Sequence, residues 1–242
     1  MRPVIRAEGR IRLLLARTGA NLSAWAAALA RKPRPVNSRA LIGEAAPVLL
    51  LAALLAGVIA VTMTFVDAPL AGLAEAKTPL LRWSFERITD LGKSGWFLYP
   101  LGIFILVAAA CASPSLGRVA NYVLVALVVR AGFLFLAIGA PGLIVTIAKR
   151  IIGRVRPSQA GPFAYEPFSW KAAFASMPSG HSTTAFAAAV AIGALWPRAR
   201  PFIWAYAVMI GVSRLVVHAH YASDVLAGAG VGALGAVMVR NW

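Results

Sequence analysis

The chain has 242 residues, 60% of them hydrophobic, and a mean hydropathy of +0.76, an apolar content that excludes an ordinary soluble domain. A net charge of +16 could suit nucleic acid, but the cations flank long apolar runs, where they face lipid headgroups, so a bilayer and no nucleic acid is the expected partner. Cys111 is the sole cysteine, which excludes an intrachain disulfide.

Residues 1–45 read as a basic cytoplasmic segment. It carries Arg2, Arg6, Arg10, Arg12, Arg17, Arg31, Lys32, Arg34 and Arg39 against Glu8 and Glu44. Within it, 11–30 is moderately apolar and reads as an interfacial amphipathic helix or a disordered tail. Arg31-Lys32-Pro33-Arg34-Pro35 then breaks any helix. The first long apolar run starts too late for a signal peptide, so none is expected.

Residues 46–242 read as one all-α membrane bundle of about six transmembrane helices. Residues 46–66 lack charge and are long enough to cross a bilayer. A polar connection over 67–95 follows, with a short helix near 79–90. Its Gly92-Lys93-Ser94 matches the end of a phosphate-binding loop, but Arg87 occupies the required upstream glycine position and no strand precedes it. Residues 96–112 form a second span, with Trp96 and Tyr99 as interfacial anchors. The run 119–148 holds Arg130, Pro141 and Gly142, and reads as one tilted or kinked span, with Arg130 snorkelling or paired in the bundle. Residues 149–180 form a Pro/Gly-rich loop. Spans at 181–196, 202–217 and 222–239 complete the set. With the N-terminus inside, thirteen basic residues fall on the inner side and ten on the outer, so both termini are placed in the cytoplasm.

This topology collects three polar islands at the outer face. In the first, Lys149 and Arg156 are seven apart; a continuing helix would put them on nearly one face, suited to an anion with several oxygens. Arg150 and Arg154 point elsewhere and read as a basic collar at headgroup level. In the second, Ser179 and Gly180 precede a helix start whose N–H groups favour an anion, and Ser179 could equally be an ordinary N-cap. His181 there could give a proton to a leaving oxygen. In the third, Arg214 adds a cation. His220 and Asp224 are four apart, so on a helix they share a face, with the carboxylate fixing the imidazole tautomer. His218 reads as structural. Arg214 and His220 cannot share a helical face, so the chain should leave the helix between them.

Together the islands resemble the type 2 phosphatidic acid phosphatase family, whose motifs run K-x6-R-P, P-S-G-H and S-R-x5-H-x3-D. Here they read Lys149 through Arg156-Pro157, then Pro178-Ser179-Gly180-His181, then Ser213-Arg214 with His220 and Asp224. The resemblance implies that His220 is the nucleophile of a phosphohistidine intermediate and that Asp224 orients it. It makes His181 the general acid and then the base. By the same resemblance, Lys149, Arg156, Arg214, Ser179 and the Gly180 amide would hold the phosphoryl oxygens. It also implies no metal and no cofactor, which agrees with the lack of a carboxylate cluster in the sequence.

The expected function is therefore a membrane lipid phosphatase acting on a lipid phosphomonoester or pyrophosphate at the outer face, the periplasmic face of an inner membrane in a bacterium. A phosphotransferase passing the phosphoryl group to a second lipid is the near alternative. A non-catalytic lipid-binding protein would keep the fold without the chemistry. Haloperoxidases share the anion pocket but are soluble.

Overall fold

A computed structural model describes residues 2–29, 38–75, 78–113 and 116–241. Among these residues the regular structure is helical: α1 (Arg2–Leu29), α2 (Ser38–Phe65), α3 (Asp67–Glu75), α4 (Pro79–Asp90), α5 (Gly95–Cys111), α6 (Arg118–Ile152), α7 (Gly180–Leu195), α8 (Arg200–Val216) and α9 (Ala222–Asn241). Each of the six expected spans is a helix, and the short helix near 79–90 is α4. By length and composition, three stretches among the described residues can cross a membrane: 79–111, where α4 runs on into α5, then α6 and α9. Residues 49–65 of α2 and 67–73 of α3 make a fourth if this pair, bent by 57°, counts as one.

The bundle is built around α7. At 16 residues it is about 24 Å long, shorter than a hydrocarbon core of roughly 30 Å. Its alanines at 185, 187, 188, 189 and 191 are fully buried among α6, α8 and α9. Helix α9 answers with Asp224, Gly228, Gly232 and Ala236, four apart and therefore on one face. A Cβ on Gly228 would lie 2.3 Å from the Ser179 carbonyl oxygen, and one on Gly232 would lie 2.3 Å from that of Thr183. Only glycine allows this backbone approach, the small-residue solution to packing where lipid removes the hydrophobic drive. The outer surface keeps Leu49, Val107, Leu143 and Phe202 exposed, as a lipid-facing surface requires.

Helix α1 packs along α5. Asn21 Nδ2 donates to the carbonyls of Ala109 at 2.8 Å and Ala112 at 3.2 Å, satisfying the open end of α5. The expected break at 31–35 lies outside the described residues. Arg130 turns out of the bundle, its guanidinium donating to the Ala126 carbonyl one turn back.

Between α6 and α7 the chain makes a compact loop. Gly153 ends α6 with φ +62, and a Cβ there would lie 1.8 Å from the Glu166 carbonyl oxygen. This left-handed cap stops the helix at Ile152. Arg156 is therefore not on the helix that carries Lys149, contrary to the continuing-helix expectation. Arg154 pairs with Tyr165 in an isolated antiparallel bridge, and the Arg156 amide donates to the Ala173 carbonyl at 2.9 Å.

Candidate active site

The end of α6, the start of α7, the end of α8 and the start of α9 meet at one end of the bundle. All three motifs converge there. Lys149 Nζ lies 3.4 Å from where a Gly180 Cβ would stand, so the first motif touches the second. Arg156 and Arg214 are close enough to Lys149 to repel it, and His181 faces Arg214, His220 and Lys149. Burial, then repulsion from Arg150, pulls the Arg156 guanidinium below its ordinary pKa, with Asp224 opposing. Such a cluster of cations holds an unmet demand for negative charge.

His220 sits outside the helix. α8 ends at Val216, and His218 turns the chain with φ +56, as the incompatible faces of Arg214 and His220 require. The Ala219 and His220 amides both return to the Arg214 carbonyl. The His220–Asp224 pair does not arise from a shared helical face. Tyr221 precedes α9, and Asp224, on its first turn, accepts from the Tyr221 amide at 2.9 Å through Oδ2, one half of a capping box. That cap brings the carboxylate beneath the preceding histidine, with His220 Nδ1 3.7 Å from Asp224 Oδ2. Burial holds the His220 imidazole at a pKa of about 4, with Asp224 pulling it upward and Arg214 and Arg156 pushing it down. The ring is thus neutral at neutral pH, the form that has a lone pair to give.

Three buried side-chain atoms have no hydrogen-bond partner among the described residues: Arg156 Nε, Arg214 Nε and His220 Nδ1. All three belong to residues singled out by the motifs. Buried donors are almost always satisfied in proteins, so a cluster of exceptions marks a place built for something else. Arg214 is otherwise held by one bond, from Nη1 to Thr89 Oγ1 at 2.7 Å.

Ser179 is fully buried and is the N-cap of α7, accepting from the Ser182 amide and, at 3.0 Å, from the Ser182 hydroxyl. Its own amide donates to the Asp224 carbonyl at 2.9 Å, which ties the second motif to the third. The capping reading of Ser179 is therefore realised in the fold. Gly180 leads the helix, with His181 next and half-buried.

Two expectations about the arginines of the first motif separate. Arg150 stays near the surface, donating to the Trp170 carbonyl at 2.8 Å and lying over the Trp170 ring. Arg154 is no collar residue; it is completely buried. Its Nη1 donates to Asp224 Oδ1 at 2.6 Å and to Ser223 Oγ at 2.7 Å, its Nη2 to Asp67 Oδ2 at 2.8 Å, and its Nε to the Pro162 carbonyl at 3.1 Å. The Tyr221 ring lies 4.4 Å from the guanidinium carbon. Burial opposes its charge, but Asp224 and Asp67 outweigh it and hold its pKa above the ordinary value.

The segment 67–95, read as a mere connection, supplies three further parts: Asp67, Thr89 and the loop at Gly92. A Cβ on Gly92 would lie 3.1 Å from the His181 ring and 2.6 Å from Ile210. Gly92, Lys93 and Ser94 line a cavity of about 410 Å³ with Gly180, His181 and Thr184, and Leu98 and Leu143 give it apolar walls. The triplet matches no phosphate-binding loop, yet it sits beside the site. Its glycine was the one usable signal, since a glycine in a polar turn beside a lysine marks close approach.

A family model, the PAP2 superfamily, matches residues 130–242. A lipid A 1-phosphatase from Rhizobium johnstonii is 38% identical over 177 residues, covering 71% of this chain and 71% of its own length. The chain belongs to the PAP2 superfamily. A second lipid A 1-phosphatase, from Rhizobium etli, is 36% identical over 179 residues, covering 72% of this chain and 75% of its own. The crystal structure of Aquifex aeolicus LpxE shares the fold with a TM-score of 0.53 at 24% identity, over 73% of this chain and 95% of that one. A PAP2-type phosphatidylglycerolphosphate phosphatase from Bacillus subtilis superposes with a TM-score of 0.55 at 24% identity, over 81% and 94%. This PAP2 protein is a membrane lipid phosphatase, as its motifs imply.

Proposed function

We propose that this PAP2 phosphatase removes the 1-phosphate of a lipid A-type glycolipid through a phosphohistidine on His220. The observation that carries the chemistry is the pair of unpaired buried donors on Arg156 and Arg214, which a phosphoryl group would satisfy, beside a His220 ring whose Nδ1 faces Asp224. The curated relatives support the substrate. Lys149, Arg156, Arg214 and the Gly180 amide take the non-bridging oxygens, where charge stabilisation does most of the work of phosphoryl transfer. Ser179 contributes by setting the helix start that presents Gly180 and His181.

His220 attacks phosphorus through Nε2, while Nδ1 closes its 3.7 Å gap to Asp224 as the ring becomes cationic. The bond from phosphorus to the sugar oxygen breaks, and His181 gives its proton to that oxygen. The bound phosphate supplies the negative charge that keeps His181 protonated. The cavity beside His181 receives the departing lipid. Water then attacks the phosphohistidine, His181 takes the water proton, and inorganic phosphate leaves with His220 neutral again. The charge bias of the loops supports cytoplasmic termini and a site open to the outer, periplasmic leaflet.

The test is phosphate release by purified protein in detergent from lipid A, phosphatidic acid, phosphatidylglycerol phosphate and undecaprenyl pyrophosphate. EDTA, a second acceptor lipid and His220→Ala are run alongside. The reading expects release from lipid A, indifferent to EDTA and abolished in the variant. Label recovered on the acceptor lipid instead of as free phosphate would make the protein a transferase, and full activity in His220→Ala would end the phosphohistidine mechanism.

A further inference from the structure

Asp67 stands at the bend between α2 and α3, outside the segment matched by the family model and far in sequence from every motif. Its carboxylate is 1% exposed in a region dominated by apolar helices. Oδ1 accepts from the Ser223 amide at 3.0 Å, and Oδ2 accepts from Arg154 Nη2 at 2.8 Å and from the Ser223 hydroxyl. Arg154 is gripped on its other side by Asp224. One guanidinium is thus shared between two buried carboxylates, and the Ser223 hydroxyl, accepting from Arg154 and donating to Asp67, links the same groups.

We propose that Asp67 is a positioning residue of the catalytic site, acting on His220 through Arg154, Ser223 and Asp224. This rests on the reading of His220 as nucleophile. The charge argument runs along the chain of bonds. The groups facing His220 are Asp224 from α9, Arg214 from α8, Arg156 from the loop after α6, and His181 from α7. Asp224 is the only anion among them. While Asp67 takes one edge of Arg154, Asp224 keeps enough negative charge to stabilise His220 as it becomes cationic. Without Asp67, Arg154 turns its whole charge on Asp224 and weakens that support. Asp67 also fixes the α9 start from below, since it holds the Ser223 amide in the helix turn that presents Asp224. None of these contacts reaches the cations that hold substrate phosphate, so the effect belongs in kcat and not in KM.

The experiment measures kcat and KM for phosphate release from lipid A by full-length protein in detergent. It compares wild type, Asp67→Asn, Ser223→Ala, the double variant, His220→Ala and Glu86→Gln, with melting followed in each. Glu86→Gln is the control, since Glu86 is exposed and pairs with Arg82 alone among the described residues. Asp67→Asn is near-isosteric but sets an amide donor against Arg154 or Ser223. It should lower kcat by about tenfold or more with KM within about twofold, the lower end of the loss when the outer-shell partner of a metal-bound histidine is removed. Ser223→Ala should lose about threefold, and the double variant should lose less than the product of the singles, because both act along one chain of bonds. A folded Asp67→Asn with kcat within twofold of wild type, or one that raises KM alone, overturns the proposal. If Asp67→Asn does not fold, Ser223→Ala decides: an unchanged kcat there overturns it equally. Activity in His220→Ala would remove the underlying reading, an outcome distinct from an Asp67 failure beside an inactive His220→Ala.

Discussion

Arg154 and Arg156 stand two residues apart in one loop and do opposite work. Arg154 is fully enclosed, with Nε and both Nη atoms donating to Pro162, Ser223, Asp224 and Asp67. Arg156 is half-buried, with its enclosed Nε unpaired and with other cations for neighbours. The first is a finished structural joint; the second is an open half of one. The difference follows from what each faces. Arg154 reaches two carboxylates, on α3 and α9, whereas Arg156 lies near Lys149, Arg150 and Arg214 and makes no salt bridge among the described residues. A single site is thus divided into a saturated floor and an unsaturated ceiling.

The sharpest way to break this comparison is to exchange what each arginine loses. Arg154→Met should leave Asp67 and Asp224 buried without their counter-ion, and such broken pairs cost about 3–5 kcal/mol. Thermal unfolding in detergent should show a large fall in Tm, or no folded protein at all. Arg156→Met should do the reverse. It removes a repelled cation, so Tm holds or rises, while kcat/KM falls by about a hundredfold or more, the usual loss of one donor to a transition-state oxygen. If both variants lose stability alike, the division into floor and ceiling is wrong.

A smaller effect sharpens the role of the floor. His220 is held at about 4, below the ordinary imidazole value. For a group whose folded pKa is depressed, its share of stability is full above the unfolded value near 6.5 and is lost as pH falls towards the folded value. The neutral imidazole survives over the same window, so with His220 as the proposed nucleophile the acid limb of kcat/KM should lie below about pH 5. A limb centred near 6.5 would mean that the ring is solvated and not enclosed. Smallest of all is His218. Its φ of +56 carries the turn, not the chemistry, so His218→Gly should change stability by less than about 1 kcal/mol and leave kcat within twofold. A large loss in kcat would bring that second histidine into the site.

Much of this could be read from residue order. The helices were legible because long apolar runs have few alternatives, and the motif residues because ionisable groups are costly at membrane depth. The way those residues meet was less legible. Lys149 and Arg156 come together through a glycine-capped turn, since the Gly153 carbonyl and the Glu166 backbone lock the chain out of the helix. His220 meets Asp224 through a helix cap. Ser179 caps α7 from a fully buried position, a role its type allowed but its spacing could not decide.

The sequence alone determined the helical bundle, its membrane setting and the set of charged residues drawn to one end, because hydropathy and motif spacing are properties of the chain itself. Only the tertiary structure decided that Arg154 is a buried joint, that Asp67, Thr89 and Gly92 belong to the site, and which donors are left unpaired. Those facts depend on which groups from distant segments share one small space. Asp67 and Asp224 compete for one guanidinium only once α3 and α9 are packed against the same loop, and no local pattern records that.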